Sequence, residues 1–363
     1  MKKIKRIGIL TSGGDCPGLN AVIRAVTRKA IHQHEYEVIG IEDGFEGLIL
    51  NRHRKLNDRD VSGILTLGGT ILGTTNRANP YKYPVNKAGG VEYRDVSGQI
   101  IERLRQLKID SLVCIGGDGT LDTTYRLFKQ GVSVVGIPKT IDNDVKGTDI
   151  TFGFDTAVQI ATEGIDRLHT TAESHHRIMI LEVMGRSAGW IALHTGVAGG
   201  GDVILIPEIP YDLKEIAQHI KDRRKKGKKF TIIVVSEGAK PIGGTVVVQR
   251  IVKDGSEPKR LGGVSFVISE QLEGLTGIET RNVVLGHLQR GGSPSHFDRI
   301  LGTQLGSKAV ELIAQGEFGC MVGVKDNDFV KVPLAKVAQG SRLVPLDHLL
   351  IKTARDLGVC FGI

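Results

Sequence analysis

Short apolar runs alternate with longer helical patterns along this chain, and this alternation restricts the possible folds more than any other feature. The apolar runs, each predicted to be a buried strand, are residues 7–10, 38–41, 112–115 and 132–137. The helical patterns are residues 18–31, 100–107 and 121–128. Strands that are apolar at every position are typical of parallel sheets covered by helices on both faces. The sequence therefore predicts an α/β fold with mostly parallel sheets.

The alternation starts again near residue 154, which predicts a second α/β domain. Its predicted strands are residues 178–183, 203–206 and 231–235, and its predicted helices are residues 154–169, 187–197, 213–224 and 261–272. The segment 240–260 is polar and rich in glycine, which predicts an exposed loop. Two domains also fit the length of 363 residues, because one domain commonly holds roughly 100–200 residues.

Charge and cysteine content exclude several classes of protein. Lys and Arg number 48 and Asp and Glu number 40, so the formal net charge is +8 and the expected partners are anionic. A nucleic acid fits poorly, because the chain has no RNA-binding or helix-turn-helix pattern and few aromatic residues to stack on bases. No apolar run approaches the roughly 18 residues of a membrane span. The four scattered cysteines form no CxxC pair, so we expect idle thiols and a cytoplasmic location.

Three polar loops directly follow predicted strands. They are residues 11–20 (TSGGDCPGLN), 115–120 (IGGDGT) and 138–144 (PKTIDND). Glycines at a strand end expose backbone N–H groups to an anion, and Asp118 can hold Mg²⁺. A tight turn, a helix cap at Asp118 and a polar turn are the purely structural alternatives. Because parallel strands end at one sheet edge, the three loops together predict phosphoryl transfer, with one Asp taking a proton and another holding the metal.

Basic and acidic side chains cluster beside glycines in the second half of the chain. The segments are residues 175–177 (HHR), 182–186 (EVMGR), 236–238 (SEG) and 280–292 (TRNVVLGHLQRGG). Arginine binds a phosphate monoester in bidentate geometry, and Glu237 can accept hydrogen bonds from sugar hydroxyls. A single arginine is usually a solvated surface residue, so this prediction depends on several of them occurring together.

The set of motifs resembles the bacterial-type 6-phosphofructokinase family over nearly the whole chain. TSGGDCPGLNAVIR, GGDGT, PKTIDND, GFDTA, SHHRIMILEVMGR, VILIPE, SEG and LGHLQRGGSP occur in the family's order. The resemblance implies two similar Rossmann-like α/β domains with the active site in the cleft between them. Residues 1–153 and 290–338 would form the phosphate-donor domain, and residues 154–289 and 339–363 the sugar-phosphate domain. The implied reaction transfers the γ-phosphate of ATP, assisted by Mg²⁺, to the 1-hydroxyl of fructose 6-phosphate and gives fructose 1,6-bisphosphate.

The resemblance also implies roles for individual residues. Asp142 matches the base that takes the proton of the sugar 1-hydroxyl, and Asp118 matches the carboxylate that serves Mg²⁺. The other matches in the catalytic loop are Lys139, Thr140 and Asp144. The matched donor contacts are Gly13, Arg77, Gly117, Asp118, Gly119 and Thr120. The matched sugar-phosphate contacts are Thr140, Asp142, Arg177, Met184, Gly185, Arg186, Glu237, Arg281, His287 and Arg290, of which Arg177, Arg281, His287 and Arg290 hold the 6-phosphate.

A homo-oligomer follows from the same resemblance, because the equivalents of Arg177 and Arg281 reach in from a neighbouring subunit in this family. A tetramer is favoured and a dimer is the alternative. The residues that match the family's effector phosphate site are Arg24, Arg28, Arg52 and residues 226–229. His169 stands where the family has arginine and Asp202 where it has glutamate, so we expect weak or altered regulation by ADP or phosphoenolpyruvate. A solvated basic face is the alternative for these residues.

The phosphate donor is ATP or pyrophosphate within this family, and two residues favour different donors. Gly119 leaves room for the α-phosphate of a nucleotide, whereas pyrophosphate users carry Asp there. Lys139 matches the pyrophosphate users, because the best-studied ATP users have Gly there. We favour ATP. An aspartate at position 119 would block a nucleotide sterically and electrostatically, and its absence here should affect the choice of donor more than the additional cation of Lys139.

Two further functions remain as alternatives. A lipid or NAD kinase would share GGDGT but would leave PKTIDND and the HLQRGG segment unexplained. A catalytically inactive homologue that only senses sugar phosphate would not need Asp118, Lys139 and Asp142, and all three are present.

Overall fold

The computed structural model describes residues 4–87, 90–251 and 259–363, and it contains two separate, mostly parallel sheets. The strands are β1 (Arg6–Thr11), β2 (Glu37–Ile41), β3 (His53–Leu56), β4 (Tyr83–Lys87), β5 (Gly90–Arg94), β6 (Ser111–Gly116), β7 (Val134–Pro138), β8 (Ile178–Val183), β9 (Val203–Leu205), β10 (Thr231–Ser236), β11 (Val248–Ile251), β12 (Lys259–Leu261), β13 (Thr280–Val284), β14 (Cys320–Lys325) and β15 (Asp328–Pro333).

Helices connect the strands in alternation with them. They are α1 (Leu19–His34), α2 (Phe45–Leu50), α3 (Ser97–Gln106), α4 (Asp118–Lys129), α5 (Phe154–His175), α6 (Trp190–Ala198), α7 (Leu213–Lys225), α8 (Val264–Thr276), α9 (His296–Ala314), α10 (Leu334–Val337) and α11 (Leu349–Asp356), with short 3₁₀ helices at Ile64–Thr66 and Gly286–Arg290. In the part of the chain that the structure describes, no helix has the length and apolar character to cross a membrane.

The larger sheet has the strand order β15-β14-β7-β6-β1-β2-β3. The pairs from β14 to β2 are parallel, and the two outer pairs, β14 with β15 and β2 with β3, are antiparallel. The smaller sheet, in the order β13-β8-β10-β9, is parallel throughout. The predicted α/β class with mostly parallel sheets is confirmed.

The central strands are buried as their apolar sequences predict. Every residue of β6, β7, β8 and β10 is buried, and helices pack on the sheets to cover them. Burial of apolar surface at about 25 cal/mol per Å² is the main force that holds such layers together. Helix α9 approaches α1 closely through two glycines: a Cβ at Gly306 would lie 2.8 Å from the Val22 carbonyl oxygen. This packing fixes the start of α1, which the first glycine-rich loop enters.

Late segments of the chain complete both sheets. Strand β14 (Cys320–Lys325) pairs with β7 in the larger sheet, while Cys360 forms a bridge with Val203 beside the smaller one. The buried carboxylate of Asp298, on α9, accepts hydrogen bonds from the N–H groups of Gly153 (2.8 Å) and Thr156 (2.9 Å) at the start of α5. Asp298 therefore ties α9, which packs on the larger sheet, to α5, which packs on the smaller one.

One predicted boundary is wrong. Residues 240–260 were expected to be a loop and residues 261–272 a helix, but β11 pairs antiparallel with β12 and α8 begins only at Val264. Residues 252–258 of the expected loop lie outside the described residues. Gly262 and Gly263 have φ values of +133° and +85°, which residues with a side chain rarely adopt. The chain therefore leaves β12 and enters α8 through this glycine pair. The residues of β11 are exposed, as expected for this segment.

Candidate active site

The three predicted anion loops lie side by side at one edge of the larger sheet. Parallel pairing sets Thr11 opposite Ile115 and Gly116 opposite Pro138, so β1, β6 and β7 end together. The loops are also joined by backbone hydrogen bonds, from Ser12 N–H to Ile115 O and from Lys139 N–H to Gly116 O, both 3.0 Å long. This is the edge at which open α/β sheets bind ligands.

The first loop encloses the amine of Lys139. The Lys139 side chain is buried, with 4% of its surface exposed, and its Nζ donates to the Gly14 carbonyl oxygen. Burial lowers the pKa of this amine. Gly13 has φ +83°, and a Cβ there would lie 3.4 Å from Lys139 Nζ and 3.5 Å from Thr120 Oγ1. Glycine therefore permits both the left-handed backbone and the close approach of these two donors.

The second loop leads into the N-terminus of α4. Asp118 and Gly119 are exposed, and Asp118 Oδ1 accepts a hydrogen bond from Gly119 N–H at 2.7 Å. A Cβ at Gly119 would contact nothing within 4 Å, whereas one at Gly117 would lie 3.4 Å from the Lys139 carbonyl oxygen. The first turn of α4 therefore faces open space, and its positive dipole end favours an anion there.

Arg77 lies at the border of the same loops. Gly13 N–H donates to Thr75 O at 3.1 Å, and Thr74 Oγ1 donates to Gly13 O at 2.6 Å, so the segment before Arg77 is fixed against the first loop. The Arg77 side chain is exposed two residues later. Arg77 therefore lies beside the first loop, and its donor contact stays a prediction.

The third loop is built around a buried asparagine. Asn143 has φ +52°, and its side chain accepts from Thr151 N–H at 3.0 Å and donates to Asp149 O at 3.2 Å. Asp142 N–H donates to Thr140 Oγ1 at 3.1 Å. Asparagine tolerates the left-handed conformation better than most residues, so it can reverse the backbone between the two aspartates.

Carboxylates from both sheets influence each other at this edge. Burial, with repulsion from Asp142 and Asp118, raises the pKa of Asp144. Burial, with repulsion from Asp142 and Glu182, raises the pKa of Glu237 to about 8, although Arg290 and Arg186 oppose the shift. Such a concentration of acidic groups favours cations and polar hydroxyl groups as ligands.

The smaller sheet brings its own loops to this place. After β8, Met184 N–H donates to Gln289 Oε1 at 2.8 Å, and Glu237 N–H donates to Val183 O at 2.9 Å. Gly185 has φ +132°, and a Cβ there would lie 2.6 Å from Ser236 Oγ. Here too the chain needs glycine.

Arg290 connects the two sets of loops. It ends the 3₁₀ helix after β13, and its Nη1 donates to the Asp15 carbonyl oxygen at 3.1 Å. A Cβ at Gly14 would lie 2.9 Å from the same nitrogen. His287 is exposed on this 3₁₀ helix, and Arg186 is half-buried after β8. Of the predicted sugar-phosphate residues, Thr140 and Asp142 follow β7 of the larger sheet, and the others except Arg177 and Arg281 follow the carboxyl ends of β8, β10 and β13.

Arg177 and Arg281 lie at the opposite edge of the smaller sheet. Arg177 directly precedes β8 and Arg281 is the second residue of β13, and parallel pairing sets these strand starts side by side. Both arginines bind Glu279: the Arg177 Nε–Glu279 Oε2 distance is 2.5 Å, and Arg281 Nη2 contacts Glu279 Oε1. A six-residue strand is roughly 20 Å long. A single chain therefore does not bring these two arginines to the other predicted site residues.

The predicted effector residues are held by local contacts. Asp202 pairs with Arg223 at 2.7 Å, and His169 Nε2 donates to Gly199 O at 2.7 Å. Arg28 lies 3.3 Å from Asp58 in a different part of the surface.

Asp118 fits a magnesium ion that arrives with phosphate. Among residues 4–87, 90–251 and 259–363, no group of three or more His, Cys, Asp or Glu side chains is arranged to hold a metal. Mg²⁺ commonly needs only one or two carboxylates together with substrate phosphates. The exposed Asp118, which raises the pKa of Asp144, meets that requirement.

Sequence reasoning missed two residues that shape the site. Gln289 is fully buried and holds Met184, and Arg342 contacts the third loop from the C-terminal segment. Gln289 stands inside a quoted motif, but nothing in a sequence separates a buried glutamine from a surface one. Arg342 is 199 residues from its partner Asn143, and no local pattern marks it.

Comparison with known proteins agrees with this geometry. The sequence profile described as phosphofructokinase matches residues 6–313. The chain is 54% identical over 364 residues to the ATP-dependent 6-phosphofructokinase 2 of Clostridium perfringens, with full coverage of both. It is 50% identical over 340 residues to the pyrophosphate–fructose 6-phosphate 1-phosphotransferase of Amycolatopsis methanolica, covering 94% of this chain and 96% of that one.

Solved structures show the same fold. Pichia pastoris phosphofructokinase in the T-state superposes with a TM-score of 0.79 at 32% identity over 93% of this chain. The chain spans only 36% of the length of that yeast chain. Because the profile covers most of the residues and the relatives match from end to end, this chain belongs to the phosphofructokinase family.

Proposed function

We propose that this chain is an ATP-dependent 6-phosphofructokinase. The reaction transfers the γ-phosphate of ATP to the 1-hydroxyl of fructose 6-phosphate, and it is a step of glycolysis. One observation carries the proposal. The anion loops of the larger sheet lie next to the loops of the smaller sheet that contain Arg, His and Glu, and the Arg290–Asp15 hydrogen bond joins the two sets.

Asp142 is the base in the proposed mechanism. The 1-hydroxyl oxygen attacks the γ-phosphorus, the bond from this phosphorus to the bridging oxygen breaks, ADP leaves, and the hydroxyl proton passes to the Asp142 carboxylate. The rigid turn at Asn143 supports this role because it fixes the backbone beside the base. Thr140 supplies a hydroxyl at the same turn, and Asp144 remains near it with a raised pKa.

Lys139 and the loop glycines hold the donor phosphates. The Lys139 amine and Thr120 hydroxyl lie next to Gly13, and the N-terminus of α4, which begins at Asp118, presents its positive dipole end beside them. Arg77 approaches from the neighbouring segment. Asp118 would hold Mg²⁺, which supplies charge neutralisation for the phosphates when bound.

Met184, Gly185, Arg186 and Glu237 bind the sugar, and His287 and Arg290 bind its 6-phosphate. Arg177 and Arg281 complete the phosphate clamp of a neighbouring subunit in a homo-oligomer, either a tetramer or a dimer. The exposed apolar side chains near these arginines support association: Phe266 is 62% exposed, and Val283 and Val284 are exposed on the edge strand β13. Apolar patches of this kind commonly mark protein interfaces.

The proposed division into domains follows the two sheets. Residues 1–153 and 290–338 form the donor domain, and residues 154–289 and 339–363 form the sugar-phosphate domain. The active site then lies in the cleft between them. A cytoplasmic location agrees with the four cysteines, all free and three of them buried.

Pyrophosphate is the second candidate donor. The buried Lys139 amine favours it, because a compact anion gains most from a cation enclosed beside it. The open space at Gly119 supports ATP, because a nucleotide needs that room.

One assay separates the two donors. Product formation from fructose 6-phosphate is followed with ATP and with pyrophosphate at equal Mg²⁺. We expect kcat/KM to be at least tenfold higher with ATP, and a preference for pyrophosphate would overturn the choice of donor. No turnover with either donor would support the catalytically inactive homologue.

Mixing two inactive variants tests the shared site. Asp142→Asn subunits lack the base, and Arg281→Ala subunits lack the clamp that they give to a neighbour. After joint refolding, some hybrid oligomers contain an intact site, and activity should exceed the sum of the two separate variants. Activity that stays at this sum would show that each chain builds its own site.

A further inference from the structure

The segment after α10 crosses the third loop on its way to the smaller sheet. Ser341 forms an antiparallel bridge with Val145, and Arg342 N–H donates to the Asp144 carbonyl oxygen at 2.6 Å. The Arg342 guanidinium donates from Nη1 to the Asn143 carbonyl oxygen at 3.0 Å. One residue therefore binds two successive carbonyl groups directly after Asp142.

The same arginine is fixed to the helix that follows the sugar-binding loop. Its guanidinium carbon lies 4.2 Å from the ring centroid of Trp190, and Trp190 Nε1 donates to the Arg342 carbonyl oxygen at 3.1 Å. Trp190 is the first residue of α6 and is 2% exposed. A buried cation–π contact of this type holds both partners in place.

A half-buried carboxylate strengthens the anchor. Glu208 Oε1 accepts from Val344 N–H at 2.8 Å and from Gly189 N–H at 3.1 Å. Gly189 directly precedes Trp190 and follows Arg186 by three residues. The C-terminal segment and the start of α6 are thus held as one unit beside the loop that contains Met184 and Arg186.

We propose that Arg342 is a positioning residue that keeps the backbone of the Asp142 loop in register with the sugar-binding loop of the smaller sheet. This inference rests on the proposed function, because it concerns the distance between the base and the hydroxyl that it deprotonates. A displacement of about 1 Å at a reacting group can cost about 100-fold in rate. Arg342 touches neither reacting group and acts only through the two carbonyl groups and Trp190.

The steady-state test compares three variants. Arg342→Ala should lower kcat by about 10- to 100-fold and leave the KM for both substrates within about threefold, because the binding groups stay in place. Both Arg342→Ala and Arg342→Lys keep the main-chain N–H that binds Asp144 O, but only Arg342→Lys keeps a cation near Trp190, so it should regain much of kcat. Arg355→Ala is the matched control: Arg355 lies 5.4 Å from the ring centroid of Phe361 on the same C-terminal segment, and its removal should leave kcat unchanged.

Tryptophan emission gives a readout that does not depend on turnover. Trp190 is the one tryptophan of the sequence, so it reports the contact directly. Fructose 6-phosphate should shift the emission of the wild type, and Arg342→Ala should change the emission of the free protein and reduce this shift. Arg355→Ala should retain the wild-type response.

Three outcomes would overturn the inference. The first is an Arg342→Ala variant that unfolds at lower temperature but has wild-type kcat per folded molecule. The second applies if Arg342→Ala does not fold, and it is an unchanged kcat in Trp190→Phe. This variant keeps a ring but loses the Nε1–H donor, so the inference predicts a kcat about threefold lower than that of the wild type. The third is a wild type without phosphotransfer, which would refute the proposed function as well. An active wild type with unaffected variants would refute the positioning role of Arg342 alone.

Discussion

Gly119→Asp is the sharpest test of donor choice, because the structure separates its effect on folding from its effect on catalysis. The site is exposed, and a Cβ would meet no atom within 4 Å. The φ of Gly119 is not in the left-handed region. An acidic residue in the first turn of α4 interacts favourably with the helix dipole, by about 0.3–1 kcal/mol. The variant should therefore fold with unchanged or slightly higher stability.

Its effect on ATP follows from Coulomb's law. A carboxylate about 5 Å from a phosphate charge, at an effective dielectric constant of about 20–40, costs about 2–3 kcal/mol. Since about 1.4 kcal/mol is tenfold, kcat/KM for ATP should fall by about 30- to 150-fold. Pyrophosphate has no α-phosphate with a nucleoside attached and should lose much less.

The assay measures kcat/KM for both donors in the wild type, Gly119→Asp and the neutral control Gly119→Asn, which has nearly the same shape. Most of the loss with ATP should appear only in the aspartate variant. Equal kcat/KM for ATP in the aspartate and asparagine variants would show that the charge at position 119 does not cause the loss of ATP use. Unchanged ATP use in both would refute the reasoning about space at Gly119.

Three other predictions concern the base, the half-buried Glu237 and regulation. Asp142→Asn should lower kcat by at least about 1,000-fold with little change in the KM for fructose 6-phosphate, and an unchanged kcat in the same assay would exclude Asp142 as the base. The pKa of Glu237 is raised from 4.5 to about 8, so the native state binds the proton more tightly and stability is lost as pH rises through that window. Glu237→Gln should therefore raise Tm more at pH 8.5 than at pH 5.5, and a Tm difference that narrows with pH would contradict the burial argument. Phosphoenolpyruvate should change half-saturation by fructose 6-phosphate less than about twofold, because His169 binds Gly199 rather than presenting a fixed cation; a large shift in saturation curves would show a functional effector site.

Some features of this site were predictable because they depend on neighbours in sequence. Glycines and aspartates follow buried strands, and parallel strands must end at one edge, so the loops at Gly13, Asp118 and Asp142 could be placed together. The pairing of β11 with β12 could not be predicted in this way, because β11 is exposed at every residue, Val248 and Ile251 included, and only the glycine pair at residues 262–263 marks the end of this segment.

Other features depend on contacts between distant parts of the chain. Gln289 and Met184 are 105 residues apart, and Arg342 and Asn143 are 199 residues apart. Their side chains are held by contacts between segments that are far apart in sequence, which no local period encodes. Arg177 and Arg281 show a third limit. The motif order implied a role for them, but only the strand direction shows that they lie at the far edge of the smaller sheet.

The return of late segments to both sheets has a consequence for biosynthesis. Strand β14 lies between β7 and β15, so the larger sheet is incomplete until residue 333 has left the ribosome. The turn at Asn143 then still lacks Arg342, and Val203 still lacks its bridge to Cys360. A nascent chain that already contains every motif from GGDGT to HLQRGG would therefore expose unpaired strand edges, the type of surface that chaperones protect. Catalytic competence should arise late and abruptly during synthesis, after the last crossing of the chain rather than after the last motif.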